Sequence, residues 1–291
     1  MGIRDRITIA GTIGFFAGPL IGALVLASFR EPFADLAERA YSAPFLAASG
    51  LALIAALTIW GLVPRAAQSQ RVQYAAAETP SHRTVMLRLW AIAFLAALAV
   101  GAFEVGLSLR GKQVLGMDAY RIGMMFAECS LVMFVVQALV FSPLIKPEWT
   151  RWFITPSLVV LALSLFVVPF ADTNVTMIVA VALVAASAGI LAPIVTYWVS
   201  LGAGDTQGAD LGLTIAAVSL GQALGSAAGG LLFDVSILPG ATFTATAVVV
   251  LTGLGASLGL PQRLQHAQAS RTDIAFGERA RASRLHPTLN R

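Results

Sequence analysis

A chain of 291 residues that is 57% hydrophobic and only 12% charged, with a mean hydropathy of +0.80, falls outside the composition of soluble globular domains. Its formal net charge is +4 and its pI about 9.7, and its single cysteine, Cys129, excludes a disulfide framework or a cysteine metal cluster. The basic excess is what membrane topology and anionic-lipid contact require, so no nucleic-acid partner is needed to explain it.

Taken in chain order, eight apolar segments are each long enough to cross a bilayer as a helix, near Ile7–Ser28, Ala43–Val63, Leu89–Leu109, Ile122–Leu144, Phe153–Phe170, Val175–Leu201, Leu211–Phe233 and Ala241–Leu260. The first follows Arg4 and Arg6, but its apolar run is too long for a signal peptide and lacks a small-residue cleavage site. It also carries Gly14-x-x-x-Gly18-Pro19-x-x-Gly22-Ala23, a stripe of glycines that lets a neighbouring backbone approach closely. Between the second and third segments lies a polar connection, Pro64–Arg88, the longest internal linker.

The third and fourth segments carry the two acids expected at membrane depth, Glu104 and Glu128. A carboxylate in hydrocarbon normally faces a cavity or a partner, or is held protonated. Glu104 stands six residues before Arg110, so an interface acid and a pathway acid are both open readings there. Glu128, seven residues after Arg121, lies deeper and reads as a cavity-lining acid, while Gln137 reads as a helix-packing hydrogen bond. In the sixth segment Pro193 removes one helical hydrogen bond, which marks either a hinge or a fixed kink. Asn174-Val175-Thr176 matches a glycosylation sequon but is pressed against the membrane and carries no weight. The seventh segment repeats the glycine stripe of the first in the same register, as Gly221, Gly225, Gly229 and Gly230. The arginine-rich end from Pro261 to Arg291 reads as a solvated tail.

With the amino terminus inside, 14 of the 19 Lys and Arg residues fall on the inner side, which places both termini in the cytoplasm. His82, His266 and His286 lie in inner loops or the tail, and the sequence holds no P-loop or H-E-x-x-H motif. No enzyme activity, metal or cofactor is expected.

The Gly14–Ala23 stripe resembles the antiporter motif in the fifth helix of drug/proton antiporters of the major facilitator superfamily; only the last glycine of that pattern differs, being Ala23. Gln207-Gly208-x-x-x-Gly212 and the stripe from Gly221 to Gly230 resemble the tenth-to-eleventh helix region, with Ser226 where proline often stands. The resemblance implies an all-α polytopic bundle corresponding to family helices five to twelve. Residues 1–64 would hold the last two helices of the first bundle, 65–88 the central cytoplasmic loop, 89–260 the six-helix second bundle and 261–291 the tail. It implies proton-coupled export of small amphipathic molecules by alternating access, across a bacterial inner membrane. Gly14, Gly18, Pro19 and Gly22, and in the other half Gly221, Gly225, Gly229 and Gly230, would shape tight gating contacts. The stretch Ser142–Arg151 is a poor version of the family's Gly/Asp/Arg-rich loop signature, and the four helices preceding these eight would lie upstream of Met1, so the chain alone is expected to insert but not to transport. The alternatives are a metabolite uptake symporter of the same superfamily and a non-transporting truncated membrane fragment. Substrate identity and oligomeric state stay open.

Overall fold

A computed structural model describes residues 37–62, 80–140, 142, 147–171, 173–203, 207–233, 240–262 and 264. Among them there is no strand. The helices are α1 (Ala37–Leu62), α2 (Pro80–Leu109), α3 (Ala119–Val140), α4 (Ile154–Val167), α5 (Asn174–Gly202), α6 (Gln207–Phe233) and α7 (Ala241–Ser257). Six stretches are long and apolar enough to cross a membrane: Arg83–Val114, Ala119–Val140, Trp149–Phe170, Val175–Gly202, Gly208–Phe233 and Ala241–Gln262. They match the third to eighth expected segments, and the protein is an all-α, multi-pass membrane protein. The second expected segment coincides with α1, whose described apolar stretch is Ala48–Thr58. The first segment lies outside the described residues, as do most of the linker before Pro80 and most of the tail.

Two boundaries differ from the expected ones for a physical reason. Helix α2 begins at Pro80, not Leu89, because a proline in the first turn needs no N–H partner and presets φ, so the polar Ser81–Arg88 stretch is helical. Beyond Leu109 the chain continues as a π-turn, Arg110–Val114, closed by Leu115 N–H to the Arg110 carbonyl at 3.0 Å. The stretch Ser142–Arg151, expected as a loop, is also partly helical: Pro147–Phe153 is a 3₁₀ helix leading into α4.

The chain forms two compact units, Met1–Ala77 with Leu107–Val135, and Glu78–Gly106 with Val136–Arg291. In the first, Gly116 turns the chain at φ 61°, and the Asp118 carboxylate accepts from Arg121 N–H at 3.0 Å to start α3. The described leucines of α1, including Leu51, Leu53 and Leu57, are exposed.

In the second unit the buried positions fall in a 3-4 rhythm. They are Leu89, Ile92, Ala96, Ala99 and Phe103 in α2, Ile154, Leu158, Leu161 and Leu165 in α4, and Met177, Val181, Val184, Ala188 and Leu191 in α5. That spacing returns a side chain to one seam about every turn, the geometry of shallow helix crossings. Helix α4 packs on α5 and α7, and α6 on α5 and α7. The outer faces, with Leu163, Phe166, Val175 and Leu231, are apolar and uncovered, as a lipid-facing surface requires.

Several hydroxyls inside the spans bond within their own helices. Ser164 donates to the Val160 carbonyl at 2.6 Å, Ser187 to Leu183 at 2.7 Å and Thr246 to Thr242 at 2.6 Å. At the start of α5, Thr173 and Thr176 form a reciprocal capping box, so the threonine of the sequon has a local role. At the end of α7 the Arg88 guanidinium donates to the Leu258 carbonyl at 3.0 Å, capping that terminus from α2.

Two left-handed glycines separate backbone strain from crowding. At Gly240 (φ 80°) a Cβ would lie 2.5 Å from the Pro169 Cβ, whereas at Gly259 (φ 72°) it would meet nothing within 4 Å. Gly259→Ala should lose about 1–2 kcal/mol for the left-handed backbone alone. Gly240→Ala should lose about 1–3 kcal/mol more through overlap with the proline. Thermal unfolding of the purified protein in detergent checks this; equal midpoints for the two variants would contradict it.

Candidate functional site

In the second unit glycines bring two helices into backbone contact. An ideal Cβ at Gly221 would overlap the Phe94 carbonyl oxygen, one at Gly225 the Leu98 carbonyl oxygen, and one at Gly229 would lie 2.9 Å from the Ala102 carbonyl oxygen. Three positions four apart on α6 therefore rest on three positions four apart on α2. The numbers rise together on both helices, so α2 and α6 run parallel. That is the direction demanded of the third and seventh spans of one chain when each connection reverses the direction.

Helix α2 reciprocates at Gly101, where a Cβ would overlap the Gln222 carbonyl oxygen and stand 3.0 Å from the Ser226 nitrogen. With both backbones this close, only glycine fits on either side, and no hydrocarbon can enter between them. Ser226 Oγ donates across the contact to the Gly101 carbonyl at 3.5 Å, and Thr242 Oγ1 from α7 donates to the Gly229 carbonyl at 3.1 Å. Gly106 extends the small face of α2 toward α7, where its Cβ would meet the Phe243 ring at 2.9 Å.

Gly230 stands apart from its three neighbours. It is exposed, and a Cβ there would make only an ordinary 3.9 Å contact with Val105 Cγ1. Gly14, Gly18, Pro19 and Gly22 lie outside the described residues.

The same contact positions the membrane-depth acid. One turn beyond Gly101 on α2 stands Glu104, half-buried; one residue after Gly221 on α6 stands Gln222, exposed. The Gln222 amide donates to the Glu104 carboxylate, Nε2 to Oε2 3.4 Å. Glu104 lies inside the apolar stretch Arg83–Val114, ten residues before its end. A carboxyl at this depth is stabilised by an amide that can donate to it when ionised and accept from it when protonated.

Glu128 belongs to the other unit, half-buried on α3, and no hydrogen bond joins it to another described residue. Pro193 is half-buried within α5, which stays helical through it from Asn174 to Gly202.

Sequence reasoning singled out Glu104 and the α6 glycines but missed Gly101, Gly106 and the pairing role of Gln222. The available signal for the groove on α2 was the small-x-x-x-small run Ala93, Ala97 and Gly101; for Gln222 it was the presence of an amide within the glycine stripe itself.

The two kinds of α6 glycine should behave differently on substitution. Gly225→Ala forces the new methyl against the Leu98 carbonyl and should destabilise by about 1–3 kcal/mol. Gly230→Ala has room and should be neutral or stabilising by up to about 1 kcal/mol through helix propensity. Unfolding midpoints in detergent decide; a Gly225→Ala variant as stable as Gly230→Ala would contradict the packing described.

A family model described as Major Facilitator Superfamily matches residues 6–225. The chain is 26% identical over 274 residues to multidrug resistance protein 2 of Bacillus subtilis (strain 168), covering 90% of this chain and 65% of that protein. It is 25% identical over 233 residues to multidrug resistance protein 1 of the same organism, covering 77% of this chain and 56% of that protein. It thus spans about two-thirds or less of the length of these relatives. With most of its length matched by the family model and its described helices arranged as membrane spans, the chain belongs to the Major Facilitator Superfamily.

Proposed function

We propose that this chain is part of a proton-coupled exporter of small amphipathic molecules that works by alternating access. The family membership and the names of the two relatives support this direction of transport. The observation that carries the reading is the Glu104–Gln222 pair, an ionisable group held at membrane depth beside a closely packed helix contact. Intramembrane acids of this kind mark ion and substrate pathways.

In this reading Glu104 takes up and releases the proton, and Gln222 reports its state to α6 by switching between donating and accepting. Ser219, Gln222 and Gly230, exposed on α6, lie toward the substrate path. Glu128 serves as a second acid lining the cavity. Gly221, Gly225 and Gly229 hold α6 rigidly on α2, so that the two helices move as one body, and Gly14, Gly18, Pro19 and Gly22 make the counterpart contact in the other half. Pro193 supplies a bend in α5 at which the bundle flexes. Residues 1–64 belong to the first bundle, 65–88 to the central connection, whose end from Pro80 is already the start of α2, 89–260 to the second bundle and 261–291 to the tail, with both termini cytoplasmic at the bacterial inner membrane.

The test is efflux of a fluorescent cationic dye from cells stripped of other pumps and expressing the transporter. Glu104→Gln keeps the shape and the hydrogen bond but removes the titratable proton, and should lower the initial efflux rate by about 10²-fold, at the low end of what a proton-transfer group contributes. Expression and membrane insertion should be unchanged. Wild-type efflux by Glu104→Gln, with the proton gradient still driving it, would remove Glu104 from the mechanism.

A further inference from the structure

The 3₁₀ helix Pro147–Phe153 precedes α4 at the end of a membrane span that begins at Trp149. Three residues per turn superpose positions i and i+3, so Trp149 and Trp152 share one face. Both are exposed, at 61% and 52%. Thr150 lies on a second face, buried, where it accepts from the Trp198 indole N–H at 3.1 Å; that bond pins the short helix to α5. Arg151 lies on the third face, half-buried, and its Nε is buried with no hydrogen-bond partner. A planar cationic fork therefore shares one short helix with two exposed indoles, at the start of a stretch long and apolar enough to cross a membrane.

We propose that this segment binds the headgroup of an anionic phospholipid, with the Arg151 guanidinium on the phosphate and the Trp149 and Trp152 rings at the boundary between headgroup and acyl chain. The guanidinium fork matches two phosphate oxygens at once and tolerates partial desolvation better than an ammonium. Exposed indoles are at home where one side of the ring is apolar and the other wet. The occupant is a lipid and not free phosphate, because a free anion would leave both exposed indoles without an apolar partner. This site is independent of the transport reading, since it uses neither Glu104 nor the glycine contact.

Native mass spectrometry of the purified protein, titrated with phosphatidylglycerol or with phosphatidylcholine, tests it. Phosphatidylglycerol should bind about fivefold more tightly than phosphatidylcholine, the preference expected of one arginine at the lipid surface. Arg151→Gln should abolish that preference, Trp149→Ala with Trp152→Ala should weaken both lipids, and Arg121→Gln, at a site elsewhere, should change nothing. Arg151→Lys, which keeps the charge but loses the fork, should retain only part of the preference and carries the test if Arg151→Gln fails to fold. Equal binding of the two lipids by the wild type overturns the proposal, as does undiminished preference in Arg151→Gln and Arg151→Lys. Displacement of the lipid by millimolar glycerol phosphate would also overturn it, by showing a site for the free anion.

Discussion

Inside hydrocarbon a leucine gains nothing by leaving lipid for another helix, so helices hold together where backbones come close enough for dense packing. The contact of α2 with α6 meets that condition with side chains removed from both surfaces. Gly221, Gly225 and Gly229 on one helix and Gly101 on the other leave carbonyl oxygens as the outermost atoms of the interface. A methyl group at most of these positions has nowhere to go, because the atom it meets is backbone and not the end of a flexible side chain. The position of everything on the α2–α6 seam, including Glu104 and Gln222, follows from that approach.

The contact also explains how an acid can stand at membrane depth. Glu104 is one turn from Gly101, and Gln222 adjoins Gly221, so the backbone contact and the hydrogen-bonded pair are set by neighbouring residues. Longer side chains in the stripe would separate the backbones, and an amide on α6 could no longer reach a carboxylate on α2. Around this seam the rest of the second unit supplies ordinary packing. Leu158, Leu161 and Leu165 of α4 fill its core, hydroxyls such as Ser164 bond within their own helix, and Arg88 and Thr173 satisfy exposed helix ends.

Most of the fold was legible in the sequence because a bilayer imposes a length and an apolar character that few other structures need. The six described spans lie where unbroken apolar runs place them. Boundaries were less legible, since polar residues can extend a helix out of the membrane: Ser81–Arg88 at one end of α2 and Arg110–Val114 at the other are helical although neither is apolar. The short helix Pro147–Phe153 was hidden for the same reason. The α6 stripe was visible because it repeats the glycine pattern of the first segment, whereas its groove on α2 showed only as the weaker small-residue run Ala93, Ala97 and Gly101. Gly101 and Gly106 are five apart and make no stripe of their own, and their partners lie more than 100 residues away in sequence. Gly230 shows the opposite limit, because a pattern of glycines does not say which of them faces a neighbour.

The direct measurement is a disulfide across the seam. A Cβ at 230 would lie 3.9 Å from Val105 Cγ1, the place a cysteine sulfur can take at 105, so two cysteines at these positions come within reach of each other. In a Cys129→Ser background, Val105→Cys combined with Gly230→Cys should oxidise in the membrane, read as loss of thiol labelling. Val105→Cys with Leu231→Cys, whose side chain is 79% exposed, should stay reduced. Adding Gly225→Leu should prevent the first disulfide by forcing α6 away from α2. Failure of the 105–230 pair to oxidise, or its oxidation undisturbed by Gly225→Leu, would contradict the glycine contact on which this account rests.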